Sequence, residues 1–300
     1  MNTALKTTQL SVRFGNKVAL NSIDLSIASS GVTALLGANG AGKTTLINCA
    51  LGLCKPSSGT VRLFSKTPGK IEAKRLIGVM LQDSALPDLL SAREHIQLFS
   101  SYYPNPLSLK QLSQRCGLES FVDKRYKTLS GGQKRRIQFA LAIIGQPKIV
   151  FLDEPTTGLD IDARNLVWNT INELRHTGTA VLLTTHYLEE ADSLADHTIV
   201  MNNGEIIAND STDNIRAAAS GAVIQCESTL ELNIIAALED VRSVKMRGRK
   251  IEISSRNATT SLAELLALDP KLSNLTVSKS SLEDAFKQIT DNSKIAGDSA

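Results

Sequence analysis

The sequence predicts a parallel α/β domain followed by a small α+β domain, and three observations carry that prediction. A short apolar run, Val32-Thr33-Ala34-Leu35-Leu36, leads into a glycine-rich loop and then a helix-like segment from Thr44 to Leu53. Between 148 and 201 two more apolar strands, Ile149 to Leu152 and Ala180 to Thr184, alternate with a helical stretch near Ala163 to Arg175, the βαβ rhythm of a parallel sheet. After Asn209 the texture shifts to short strands and helices in the order βαββαβ.

Each element has its own local signal. Thr8 to Arg13 and Ala19 to Ile27 alternate apolar and polar residues around Phe14-Gly15-Asn16-Lys17, which predicts a β-hairpin. Residues 87 to about 128 are polar and helix-patterned, broken at Pro87, Pro104 and Pro106, so a helical subdomain is expected over about 87–145. In the last third, Ala222 to Cys226 reads as a strand and Leu230 to Leu238 as a helix. Val241 to Arg247 and Lys250 to Ser254 read as a hairpin, Leu262 to Leu268 as a helix and Leu275 to Val277 as a strand. The expected division is a first domain over 1–215, a small, ferredoxin-like domain over 216–290, and a disordered tail over 291–300.

Composition bounds the function classes. With 300 residues, 42% of them hydrophobic and 21% charged, the chain suits one large and one small globular domain. No apolar run reaches the roughly 18 residues needed to cross a bilayer, and Met1 to Lys6 lacks a signal-peptide core, so the protein is expected in the cytoplasm unless a partner recruits it. Cys49, Cys54, Cys116 and Cys226 form neither a CxxC pair nor a zinc pattern and are read as reduced, mostly buried thiols. A net charge of +3 does not argue for nucleic acid, and none is expected as a partner. The basic runs Lys134-Arg135-Arg136 and Arg247-Gly248-Arg249-Lys250 are read as solvated surface, the second as a hairpin turn.

The chemistry lies in short motifs. Gly37-Ala38-Asn39-Gly40-Ala41-Gly42-Lys43-Thr44-Thr45 fits GxxxxGK[ST], whose glycines let backbone N–H groups turn toward phosphate oxygens at the positive end of a helix. Lys43 would reach the outer phosphates of a nucleotide and the Thr44 hydroxyl would bind Mg²⁺. Asp153 ends an apolar strand, so its carboxylate would emerge beside that loop, where it can hold the hydration shell of the metal. Glu154 follows it, and Leu129-Ser130-Gly131-Gly132-Gln133 precedes a helical pattern from Arg136 to Ile144, so its glycines can press amides against an anion at a helix start.

Phosphate loop, Leu129-Ser130-Gly131-Gly132-Gln133 and the acidic strand end, in that order, resemble the ATP-binding cassette family over residues 5 to about 210. The resemblance implies a β-subdomain, a RecA-like core and a helical subdomain. It also implies that Glu154 polarises the water attacking the γ-phosphate of ATP, that His186 after Leu182-Leu183-Thr184-Thr185 contacts that phosphate, and that Gln82 senses it and joins the metal. Residues 129 to 133 would complete the ATP site of a second copy, with Asp160, in Thr156-Thr157-Gly158-Leu159-Asp160, at the contact in an ATP-bound homodimer. Phe14 fits the position of the aromatic that stacks on adenine, and a hairpin phenylalanine also packs inside a core.

The segment from Ser281 to Thr290 resembles the closing helix of ATPase subunits from bacterial drug-, antibiotic- and polysaccharide-type exporters, which pair with a separate membrane protein. Its apolar residues Leu282, Ala285, Phe286 and Ile289 at helical spacing are equally explained by packing on the small domain. The expected function is therefore ATP hydrolysis coupled to transport by a membrane permease, with the chain held peripherally at the inner membrane face. An importer ATPase is one alternative. A soluble relative acting on ribosomes or nucleic acid is another, although no coiled coil, zinc motif or second ATPase domain supports it.

Overall fold

The computed structural model describes residues 3–82, 84–218, 222–279 and 281–297. They divide into two compact units that meet at Asn209 and Asp210, six residues before the expected boundary, because α8 (below) belongs with the second unit. In chain order the first unit contains β1 (Thr3–Phe14), β2 (Lys17–Ala28), β3 (Gly31–Gly37), α1 (Lys43–Leu51), β4 (Ser58–Leu63), α2 (Ile71–Lys74), β5 (Ile77–Met80), α3 (Ala92–Ser100), α4 (Leu109–Cys116) and α5 (Gly131–Ile143). It continues with β6 (Ile149–Asp153), α6 (Ile161–His176), β7 (Ala180–Thr184), α7 (Leu188–Leu194), β8 (His197–Asn202) and β9 (Glu205–Ser211), whose last residues cross the boundary.

The predicted hairpin forms, with Phe14 opposite Lys17 and Gly15 supplying φ +59 at the turn. β4 pairs with the other edge of β1, giving an antiparallel sheet in the order β2-β1-β4. Alternation along β2 turns Ile23, Leu25 and Ile27 inward. The second sheet runs β5-β6-β7-β3-β8-β9, with parallel pairing from β5 through β8. Every residue of β6 and of β7 is buried, which explains why both strands read as unbroken apolar runs. The carboxyl ends of β3, β6 and β7 therefore open on one edge of the sheet, where Gly37, Asp153 and Thr184 stand.

The helical subdomain is organised by its caps. Ser91, Ser108 and Ser130 each form a capping box, with Glu94, Gln111 and Gln133 respectively, so three serines fix where α3, α4 and α5 begin. Their inner faces bring Ile96, Leu112, Ile137 and Phe139 into one core, which Phe121 joins from the turn after α4.

The second unit contains α8 (Thr212–Ala218), β10 (Ala222–Glu227), α9 (Leu232–Ala236), β11 (Val241–Arg247), β12 (Lys250–Ser255), α10 (Ala258–Leu268), β13 (Ser273–Lys279) and α11 (Leu282–Gly297). Its sheet runs β11-β12-β10-β13 with each neighbouring pair antiparallel, which is the ferredoxin-like arrangement of a βαββαβ chain. Ile224, Cys226, Ile251 and Ile253 alternate onto the face covered by Ile235 of α9 and Leu265 of α10. α11 buries Leu282 and Ala285 and lies against α8.

Residues 291–297 continue that helix, so the expected disordered tail is corrected there; residues 298–300 lie outside the described residues. The polar composition of the tail suggested disorder, but no proline or glycine interrupts 282–296 and an amphipathic first half nucleates the turns that follow. Among the described residues no helix is long and apolar enough to cross a membrane. Cys49, Cys116 and Cys226 are buried and Cys54 half-buried, all as free thiols.

Candidate functional site

The phosphate loop bridges β3 and α1, and its shape requires glycine. Gly40 has φ +84 and Gly42, which caps α1, has φ +107, a left-handed region costly to L side chains. At Gly42 space is also missing: a Cβ would lie 2.7 Å from the Ala19 carbonyl and 2.9 Å from Leu20. Lys43, the first residue of α1, folds its ammonium back to donate to the carbonyls of Gly37 at 2.6 Å and Ala38 at 3.1 Å. Burial lowers the pKa of Lys43 from its ordinary value, and the negative charges of Asp153 and then Glu154 oppose that shift.

Asp153 ends β6 with its carboxylate buried and accepts a short hydrogen bond from the Thr184 hydroxyl on the neighbouring strand. Glu154 leaves the strand with φ +51, a left-handed conformation that costs a non-glycine residue on the order of 1 kcal/mol or more. That turn sends its carboxylate away from Asp153 and into a cluster of polar groups. Glu154 Oε1 lies 3.3 Å from His186 Nδ1, while Oε2 accepts from Gln82 Nε2 at 3.3 Å and from Thr157 Oγ1 at 3.3 Å. The His186 ring, half exposed, rests on Tyr187 with centroids 3.9 Å apart.

Gln82, Asp153, Glu154 and His186 line one cleft of about 800 Å³ with Asn39, Gly40, Ala41, Gly42, Lys43, Thr44 and Thr45. Phe14, which is 57% exposed, sits on its wall beside Lys17, so it is no core residue. A somewhat larger opening of about 970 Å³ is lined by Lys6, Arg62 and Lys148 and shares none of this machinery. Cavity size is therefore a poorer guide here than the convergence of polar groups.

Two predicted site segments lie outside the cleft. Ser130 caps α5, and Ser130 and Gly131 are exposed, while Leu129 is buried and Gly132 and Gln133 are intermediate. Asp160 is exposed and caps α6 by accepting from the Ala163 amide at 2.8 Å. The structure thus brings together Phe14, residues 39–45, Gln82, Asp153, Glu154 and His186, and holds Leu129–Gln133 and Asp160 apart from them.

One residue of the site was misread in the sequence. Arg135, placed with Lys134 and Arg136 in a solvated basic run, is only 9% exposed. Its Nη2 donates to the carbonyls of Asp153 and Glu154, each at 2.6 Å. Its Nη1 donates to the carbonyls of Leu81 at 3.2 Å and Gln82 at 3.1 Å. Spacing held a clue: Arg135 lies one helical turn before Phe139 and so shares the buried face of α5. Arg136 is partly buried too, donating to Gly117 and stacking over Phe121.

Residues 20–157 match the ABC transporter family. A daunorubicin/doxorubicin resistance ATP-binding protein of Streptomyces peucetius is 31% identical, across 96% of this chain and 92% of its own length. The Nod factor export ATP-binding protein I of Cupriavidus metallidurans is 37% identical, across 69% of this chain and 71% of its own. Among solved structures, an ATP-binding subunit of an ABC transporter superposes with a TM-score of 0.66 at 27% identity, covering 71% of this chain and 92% of that one. An ATP-binding cassette in a dimeric, post-hydrolysis state with ADP and Pi superposes with a TM-score of 0.61 at 25% identity, covering 69% and 98%.

Proposed function

The chain belongs to the ABC transporter family as one of its ATP-binding, ATP-hydrolysing subunits, and on that premise we propose that it powers an exporter through a separate membrane permease. Support for export comes from the relatives, whose names specify drug resistance and Nod factor export. The observation that carries the hydrolytic reading is the position of Glu154, held between Gln82 and His186 on the wall of the same cleft as the phosphate loop.

The roles follow from that placement. Phe14 offers an aromatic face to adenine. Residues 37–45 receive the phosphates on backbone N–H groups, with the Lys43 ammonium swinging from the Gly37 and Ala38 carbonyls to the outer phosphates. Among the described residues no three acidic, histidine or cysteine side chains form a metal cage. A hydroxyl and one carboxylate, Thr44 and Asp153, suit Mg²⁺, which takes few protein oxygens and fills its shell with phosphates and water. Gln82 would stand beside it, and the ion would neutralise phosphate charge. Glu154 accepts a proton from the attacking water, and His186, whose Nδ1 lies 3.3 Å from that carboxylate, contacts the γ-phosphate.

Residues 129–133 complete the site of a second copy, head to tail, with Asp160 at the junction. Their separation from the cleft within one chain supports that arrangement. ATP closes the homodimer and hydrolysis reopens it, a two-state change transmitted to the permease at the inner membrane face. The deciding experiment is Glu154→Gln with MgATP, read by sedimentation and phosphate release. The expected result is an ATP-bound dimer with kcat reduced by about 10²-fold or more. A monomer, or wild-type turnover, overturns the proposal.

A further inference from the structure

We propose that Arg135 is a positioning residue for hydrolysis: from the helix that follows residues 129–133, its guanidinium holds the Glu154 peptide in its left-handed turn and joins it to the backbone of Gln82. This rests on the reading of Glu154 as the hydrolytic base.

The geometry is specific. In a strand, successive carbonyls point to opposite sides, so one donor cannot serve two in a row. At Glu154 the backbone leaves the strand with φ +51, and the carbonyls of Asp153 and Glu154 both receive Arg135 Nη2 at 2.6 Å. The guanidinium thus favours the backbone conformation that aims the Glu154 carboxylate at Gln82 and His186. Through Nη1 the same group holds the carbonyls of Leu81 and Gln82, at 3.2 and 3.1 Å, so the residue that contacts Glu154 by its side chain is also fixed by its main chain. A planar fork with donors on both terminal nitrogens suits this task, and a lysine ammonium cannot span both pairs of acceptors.

The connection has a direction. Arg135 stands about one turn into α5, and Ser130, the cap of that helix, is exposed beside Gly131. A shift of α5 when a second copy engages residues 129–133 would move the guanidinium and with it the Glu154 peptide. Engagement in one site would then be registered at the hydrolytic carboxylate of the other, because residues 131–133 and Arg135 lie on one helix and Arg135 holds the Glu154 carbonyl.

The test compares full-length wild type with Arg135→Lys, Glu154→Gln and the double variant, measuring kcat per nucleotide-binding site, KM for MgATP and the melting temperature. Normalising to titrated sites removes any unfolded fraction. Arg135→Lys should lower kcat about 10- to 100-fold, the scale of a small misplacement of a reacting group, with KM changed less than about twofold. The double variant should be no slower than Glu154→Gln alone, because the arginine acts through that carboxylate. Wild-type kcat per site in Arg135→Lys overturns the inference, and so does an additive loss in the double variant. Wild-type turnover in Glu154→Gln instead refutes the hydrolytic reading itself, and the two failures are distinct. Should Arg135→Lys bind no nucleotide, Arg135→Gln gives the same comparison, and absence of binding in both assigns the arginine to folding and overturns the proposal.

Discussion

Glu190 on α7 accepts a hydrogen bond from the Thr156 hydroxyl at 2.9 Å, in the loop that follows Glu154. The same oxygen, Oε1, accepts from the indole of Trp168 at 3.0 Å, and the side chain is 1% exposed. A buried donor, Thr156, and a half-buried one, Trp168, from α6 and its preceding loop therefore depend on one carboxylate oxygen. Glu190→Ala should cost about 2 to 3 kcal/mol, because it strands both donors and leaves a cavity. Glu190→Gln keeps an acceptor and should stay within about 1 kcal/mol of wild type. Trp168 is the sole tryptophan of the chain, so its emission during urea unfolding reads the first unit alone. Equal losses in the two variants would show that charge, and not the acceptor, matters.

Gly40 and Gly42 separate strain from crowding within one loop. Both have positive φ, but a Cβ on Gly40 meets nothing within 4 Å whereas one on Gly42 strikes the Ala19 carbonyl and Leu20. Gly40→Ala should cost about 1 kcal/mol, the price of a left-handed alanine. Gly42→Ala should cost about 2 kcal/mol or more and lower ATP affinity at least tenfold, since relief requires displacing the start of α1 and with it Lys43. Equilibrium unfolding and titration with a nonhydrolysable ATP analogue distinguish the two.

Gly131 offers a test of the two-copy site that leaves the single chain intact. It is exposed in the first turn of α5, has no positive φ, and a Cβ there meets nothing within 4 Å. Gly131→Asp places an anion at a helix N-terminus, so stability should stay within about 0.5 kcal/mol of wild type. The same charge would face a phosphate in the closed dimer. Expected outcomes are unchanged nucleotide affinity for the monomer, no ATP-driven dimer by sedimentation, and hydrolysis reduced by at least about tenfold, the effect of a like charge worth 1.4 kcal/mol or more.

What could be read from the sequence was what depends on neighbours in sequence. The phosphate loop, the run Ile149 to Leu152 and the alternation around Gly15 are local patterns, and the structure has them within a residue or two, apart from β1, which begins five residues earlier than expected. The order of the second unit predicted its sheet, because βαββαβ connections leave few unknotted ways to pair four strands. For Phe14 the sequence left a stacking and a core reading open, and its exposure excludes the core one. Arg135, Thr184 and Glu190 acquire meaning only through partners 18 to 54, 31, and 22 to 34 residues away. No local pattern encodes those pairings. The helix over 291–297 was missed for another reason: composition reports whether a segment can nucleate structure, not whether an existing helix extends into it.

Cys116, at the end of α4, makes the first unit sensitive to alkali. It is fully buried, and desolvation, with smaller contributions from Glu119 and Glu173 against those of Arg115 and Arg136, pushes its thiol up to about 12 from 9.0. An unfolded chain releases this proton near pH 9 while the folded one keeps it, so the folded state binds more protons in between. Stability is then fully present below pH 9 and falls by about 1.4 kcal/mol per pH unit toward 12. Cys116→Ala should cost about 1 kcal/mol at pH 7 for the small cavity, yet lose about 2 kcal/mol less than wild type between pH 8 and 10.5. Some alkaline slope should survive, because burial also raises the Cys49 thiol, to about 12, while the lowered pKa of Lys43 acts in the opposite sense below its ordinary 10.5. Urea midpoints followed by Trp168 emission at pH 7, 8, 9.5 and 10.5 measure the difference, and parallel curves for the two proteins would mean that water reaches the thiol.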